Sequence, residues 1–459
     1  MSRKFYTLLS LFIVGSFIMA ACAPAATPTP APSTGSTSSV AASAPASATA
    51  VPASAGAASS GKKVTVTWWH ISTKDPGLSF WKGLADQYMA AHPNVDIQIT
   101  VLENEAFKTK LTTVMQSGTP PDIFQSWGGG DMNQQIAAGL LKDITPDLDA
   151  NGGAWRNSFG AGPLSVYALN GKNYGVPWDM GIVGWWYNKD LFAKAKIANP
   201  PTTWSEFLTD VKALKAAGIT PISVGEGDKL PGMHIWSYLA SRIGGQAAFN
   251  AAYNRTGSFT DPAFVQAGQK LQDLVALQPF QAGFLGATHD QMQATFGNGK
   301  AAMELSGQWA PSTEAANSAD KKGVANLGFF NFPAVEGGAG SITDVVGGGD
   351  GFGIGKDASP EAIDFVKFLT NATNQTQIAS TGMGIPVVKG SEAGLTDPNM
   401  VTVQKDFADA SAFQLYFDQY LPPAMGSVLN DSIQGIFAGT STSQQVAQAI
   451  EDAAKQNIK

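Results

Sequence analysis

The chain has 459 residues, a single cysteine, 14% charged residues and a formal net charge of −7 at pH 7. Net acidity excludes the basic face that phosphate backbones require, so nucleic acid is not an expected partner. One cysteine excludes a disulfide framework and CxxC metal chemistry, and the length predicts two domains rather than one core.

In chain order, Ser2-Arg3-Lys4 is a short basic start and Phe5 to Phe17 an apolar run of 13 residues. That run suits a signal-peptide core and is too short to span a bilayer. Met19-Ala20-Ala21-Cys22 then resembles a lipobox, which implies a signal peptide over 1–21 and a lipid on Cys22. Loss of residues 1–21 removes Arg3 and Lys4 and no acid, which takes the net charge from −7 to −9. Ala23 to Ser60 is built from Ala, Pro, Thr, Ser, Gly and Val without charge, so residues 22–63 read as a disordered tether. At about 5–6 Å × √n, such a tether holds the body a few tens of Å from its anchor.

Val64–Trp68 and Val95–Val101 alternate at period two, with Phe80, Leu84 and Tyr88 on one helix face between them. This order predicts a parallel pair with a right-handed crossover. Leu111 and Met115 fit a further helix, Asp122–Phe124 a third strand, and Ile136–Leu141 the end of a helix. Gly175–Asp179 begins a second series, in which Trp185–Tyr187 is strand-like. Thr203-Trp-Ser-Glu206 is a capping box opening a helix that Gly218 ends. Strands are expected at 219–224, 301–305 and 327–332, and helices at 262–277, 359–369, 397–411, 422–437 and 441–456. Residues 345–356 are Gly-rich and expected to be flexible. The helical tail is expected to pack on a domain formed earlier.

Motifs for catalysis are sparse. The four histidines form no i,i+4 pair, and no HExxH, His-x-Glu or Gly-x-Ser-x-Gly pattern occurs. Gly347–Gly355 completes no GxGxxG, and Lys356 is followed by Asp357, so no phosphate loop and no cofactor or metal is expected. Glu103, Asp179, Glu304 and Asp350 are candidate carboxylates for a hydrolase, and spacing alone leaves open whether they meet. Tryptophans at expected strand ends, beside small or polar residues, stand out at Trp68-Trp69-His70, Trp127-Gly128, Trp178-Asp179, Trp236 and Trp309. Indole faces suit the C–H face of a sugar and neighbouring polar groups its hydroxyl rim. In open α/β sheets such ligands sit beyond the carboxyl ends of strands.

Seven segments then occur in one order: Val64–His70, Gly118–Phe124, Gly175–Asp179, Trp186–Leu191, Pro201–Phe207, Ala301–Trp309 and Gly384–Pro386. They resemble the extracellular solute-binding proteins of ABC sugar importers, the type that includes maltose-binding protein. Asp418–Pro423 and Phe437–Gly439 are most similar to members for short plant or chitin oligosaccharides such as xylobiose. The resemblance implies an α/β, two-lobed periplasmic-binding-protein fold, each lobe a sheet flanked by helices, with extra C-terminal helices. Lobe one would comprise 64–177 and 351–385, and lobe two 178–350 and 386–459. It implies a monomeric, non-enzymatic, lipid-anchored receptor outside the cytoplasmic membrane, partnered by an oligosaccharide and permease subunits. By position it assigns the sugar to Trp69, His70, Trp127, Gly128, Asp179, Glu226, Trp236, Trp309, Gly349 and Asp350, and Glu103 completes the expected set. The family's late-helix aromatic falls at Met425-Gly426 here, so Tyr416, Phe417 or Tyr420 would have to replace it. A secreted hydrolase and a receptor for a non-sugar solute are the alternatives.

Overall fold

Val64–His70 and Val95–Val101 pair in parallel, from Val64 opposite Val95 to His70 opposite Val101. They belong to the computed structural model of this chain, which describes residues 63–458. Cys22 and the tether expected over 22–63 lie outside the described residues, apart from Lys63.

These strands are the edge of a five-stranded sheet ordered Val95–Val101, Val64–His70, Ile123–Ser126, Gly351–Ile354, Gly175–Pro177. The crossover helix Gly77–Ala91 buries Trp81, Leu84 and Tyr88 against one face. Trp68, fully buried, meets Trp81, Phe352 and Phe365 edge-on at centroid distances of 5.7, 6.0 and 5.4 Å. Such T-shaped contacts add about 0.5–1.5 kcal/mol each beyond burial. The other face packs Phe107, Leu111 and Met115 of the helix Asn104–Gln116 against Phe124 and Tyr167.

A second, four-stranded sheet runs Leu327–Phe330, Gly184–Asn188, Ala301–Ser306, Thr220–Ile222. Three short strands, Ala412–Leu415, Asp344–Gly348 and Gly181–Ile182, stand beside it. The capping box forms as expected: Thr203 Oγ1 accepts from Glu206 N, and Glu206 Oε2 accepts from Thr203 N. The tail helices Pro423–Phe437 and Ser443–Asn457 lie on the helices Leu230–Tyr253 and Pro262–Ala276. Leu429, Ile433, Ile436, Val446 and Ile450 join the larger core there.

The chain crosses between the two halves at Trp178–Met180, at Gly349–Asp350 and near Ile385. The crossings are bonded side by side: Trp178 N and Asp179 N donate to Asp350 O at 2.8 and 3.1 Å, and Met180 N donates to Ile385 O at 3.2 Å. Gly349 is needed there, because a Cβ would lie 1.9 Å from Asp179 O.

Three expectations need correction. Residues 345–356 are not flexible: they contribute two strands, Asp344–Gly348 and Gly351–Ile354, whose glycines leave room for the rings of Tyr416, Tyr167 and Phe124. Lobe one does not end at 385, since Val387 and Val388 pack in its core and Ser391–Gly394 lies on its helix Ala372–Ser380. Trp236 is not at a strand end; it sits in the long helix Leu230–Tyr253, which the sequence pattern did not reveal.

Candidate functional site

A cavity of about 370 Å³ opens between the halves, within the roughly 300–1,000 Å³ typical of small-molecule sites. The loops that line it follow strand ends, as the open-sheet rule requires. From the first half, Ile71–Gly77 follows the first strand, Glu103 and Asn104 the second, and Trp127 the third. The crossings supply Trp178, Gly349 and Asp350. The second half supplies Asp228, His234, His289, Trp309 and the Tyr416–Gln419 turn.

Trp127 is held edge-on by Phe107 at 5.9 Å, with Lys108 Nζ 5.6 Å above its ring. Across the cavity, Trp309 begins the helix Ala310–Asn317 and meets Tyr416 edge-on at 6.4 Å. Its indole lies over Gly307, where a Cβ would be 2.2 Å from the ring. Gly130 performs a similar service, since a Cβ there would lie 2.2 Å from Leu421 O. This close approach sets the Asp418–Gln419 turn of the second half beside the helix Gly129–Ala137 of the first.

The polar wall is acidic and partly unpaired. Tyr416 OH, Asp418 Oδ1, Gln419 Oε1 and Asn104 Oδ1 are buried and find no hydrogen-bond partner among the described residues. Asp418 Oδ2 accepts from Asn430 Nδ2 at 3.3 Å, and burial raises this carboxyl above its ordinary pKa. Asp350 accepts from Gln125 Nε2 at 2.5 Å, and burial pushes its pKa up to about 7. Burial lowers His234 to about 3 and also lowers His289, so both rings are neutral near pH 7. Lys74 reaches across the cleft to Asp290 at 2.5 Å and to Asn317. Unpaired acceptors flanked by indole faces can hold a ligand that is apolar on its faces and rich in O–H or N–H groups at its edge. Among the described residues, no group of three His, Cys, Asp or Glu side chains is placed to hold a metal.

Of the expected residues, Glu103, Trp127, Trp309, Gly349 and Asp350 meet on this cavity. The other six stand elsewhere. Trp69 points to the outer layer, under Lys110 Nζ at 4.7 Å. His70 is buried beside Trp68, accepts from Ser72 N at 3.2 Å, and is lowered by burial to about 4. Gly128 has φ +69° and abuts Val166 O, a backbone requirement. Trp236 is fully buried among Phe264 and Phe417. Glu226 is buried and accepts from Gly232 N at 2.7 Å, in the first turn of the helix Leu230–Tyr253. Asp179 is fully buried at the crossings: Oδ1 accepts from Ile385 N at 2.6 Å and Oδ2 from Gln308 Nε2 at 2.5 Å. Sequence reasoning missed Lys74, Lys108, Asp228, His289 and Asp290. Only Lys74 carried a usable signal, its position just after the first strand.

The family profile of the bacterial extracellular solute-binding proteins matches residues 72–376. This chain belongs to that family. A multiple sugar-binding protein of Streptococcus mutans is 28% identical over 367 residues, 77% of this chain and 82% of the relative. A solved structure from work on xylan utilization by Caldanaerobius polysaccharolyticus is 30% identical, with TM-score 0.79 over 85% of this chain and 99% of the other. A chitin oligosaccharide binding protein is 28% identical, with TM-score 0.80 over 86% and 99%. The two-lobed α/β fold is therefore the family's, and its members are binding proteins found outside the cytoplasm. No helix among the described residues is long and apolar enough to cross a membrane.

Proposed function

We propose that this solute-binding protein captures a sugar, a short oligosaccharide, between its lobes and delivers it to the permease of an ABC importer. The observation that carries the reading is the cavity itself: two indoles, Trp127 and Trp309, face it from opposite halves, with unpaired buried acceptors beside them. Sugar touching both halves favours the closed arrangement by its differential affinity, and the permease must reopen the protein for release. The names of the sugar-binding relatives support the ligand class. In this reading Trp127 and Trp309 stack on sugar rings, while Glu103, Asp350, Asp418 and Gln419 bind hydroxyls. The protein is a monomer without catalytic activity, and a lipid on Cys22 holds it at the outer face of the cytoplasmic membrane. Lobe one comprises residues 64–177 and 351–394, and lobe two residues 178–350 and 395–459.

The test is a thermal-shift screen of the protein against a panel of mono- and oligosaccharides. At 100 times Kd a true ligand adds about 2.7 kcal/mol of stability. Absence of any shift across the panel, or release of smaller sugars during incubation, overturns the reading.

A further inference from the structure

We propose that the cavity selects uncharged or amine-bearing sugars and rejects uronic acids, because its wall carries surplus negative charge and surplus acceptors. The inference rests on the sugar reading above and narrows it. Six carboxylates line the cavity, those of Asp75, Glu103, Asp228, Asp290, Asp350 and Asp418, against two ammonium groups, Lys74 and Lys108. Both ammonium groups already face acids of their own. Lys74 is bound by Asp290 and Asn317, and Lys108 by Glu105 at 2.8 Å. The two lining histidines are neutral, for the burial reason given above.

The second observation is independent of charge count. Asp418 and Gln419 are 7% and 8% exposed, and one oxygen of each finds no donor among the described residues. A buried acceptor left unmade is costly, so the complementary ligand brings hydrogens to it. A hydroxyl or an ammonium does so, whereas a carboxylate at neutral pH brings acceptors only. Its charge would also meet the acidic wall at reduced dielectric, where like charges repel more strongly than in water, a repulsion to which Asp350, pushed up to about 7 by burial, contributes only in part.

The experiment is calorimetric titration of the full-length protein with cellobiose, lactose and N,N′-diacetylchitobiose. Each is paired with the disaccharide of the same linkage whose non-reducing sugar carries a C6 carboxylate. We expect whichever neutral sugar binds to exceed its acidic partner by at least about tenfold in affinity. Asp418→Asn should narrow that ratio, and Asp228→Asn, whose side chain can still accept from His289 N, serves should the first variant not fold. A uronate that binds as tightly as its neutral partner overturns the inference and leaves the sugar reading standing. A ratio unchanged in every folded variant overturns the assignment to the acidic wall. Failure of all the neutral sugars, together with no shift for any sugar of the thermal screen, overturns both.

Discussion

Asp179 separates a structural tie from a sugar ligand. Asp179→Ala removes the acceptor for Ile385 N and for Gln308 Nε2, both in a site without solvent access. Each buried donor so orphaned costs roughly 1–3 kcal/mol. Loss of one buried acid from beside Asp350 offsets part of this, leaving about 3 kcal/mol, or a Tm lower by about 6–12 °C at roughly 2–4 °C per kcal/mol. Asp179→Asn should behave differently. Its Oδ1 can still accept from Ile385 N, and Gln308 can turn its amide so that Oε1, unpaired among the described residues, accepts from the new amide. That variant should unfold within about 1 kcal/mol of the parent. Urea denaturation of both variants, with titration of the best sugar from the screen, decides the matter. Should Asp179→Ala unfold like the parent while Asp179→Asn loses the sugar, Asp179 is a ligand and the tie is wrong.

Trp309→Ala should weaken the best sugar by about 30-fold, the loss of an interfacial tryptophan of about 2 kcal/mol, with the ligand-free melt little changed. An equal fall in that melt would place the indole in the core instead. Glu226, raised by burial to about 8, keeps its proton in the folded chain where the unfolded chain has lost it. Stability should therefore fall as pH climbs from about 4.5 to 8, and Glu226→Gln should flatten that limb in urea midpoints taken at pH 5 and 8. Identical pH dependence in parent and variant would refute this. Glu451 runs the other way, lowered to about 2 by Arg255 at 2.6 Å. Its contribution is present above pH 4.5 and lost as pH falls towards 2. Glu451→Gln should remove it, and an unaltered acid limb in the variant would show that the pair contributes nothing.

Local patterns read well where chemistry and geometry share a short segment. Period two in Val64–Trp68 and Val95–Val101, with one apolar helix face between, admits little but a parallel unit. Thr203 and Glu206 announce their helix because both halves of the capping box lie within one turn. Trp236 failed for the opposite reason. Its helix buries residues on every side, so it shows no polar face and no 3.6-residue rhythm. Gly347–Gly355 looked mobile because glycine both loosens a chain and admits a neighbouring ring, and composition alone does not distinguish these uses. Asp179 lies at the crossover, where a residue can face the cleft or clasp the strands, and sequence alone did not distinguish a sugar contact from its bonds to Ile385 N and Gln308 Nε2. Lys108 had no local signal at all, and Asp418 only its place in a segment similar to oligosaccharide-binding members. They come to one cavity through folding of segments far apart in sequence.

The first core is assembled from two stretches of chain with the whole second sheet inserted between them. Phe352 and Phe365 pack against Trp68, yet they emerge from the ribosome only after that insert. Long-range closure of this kind slows folding. The nascent half is thus left with its hydrophobic partners missing for most of synthesis, a state compatible with threading through a secretion channel before the last strands arrive to lock it.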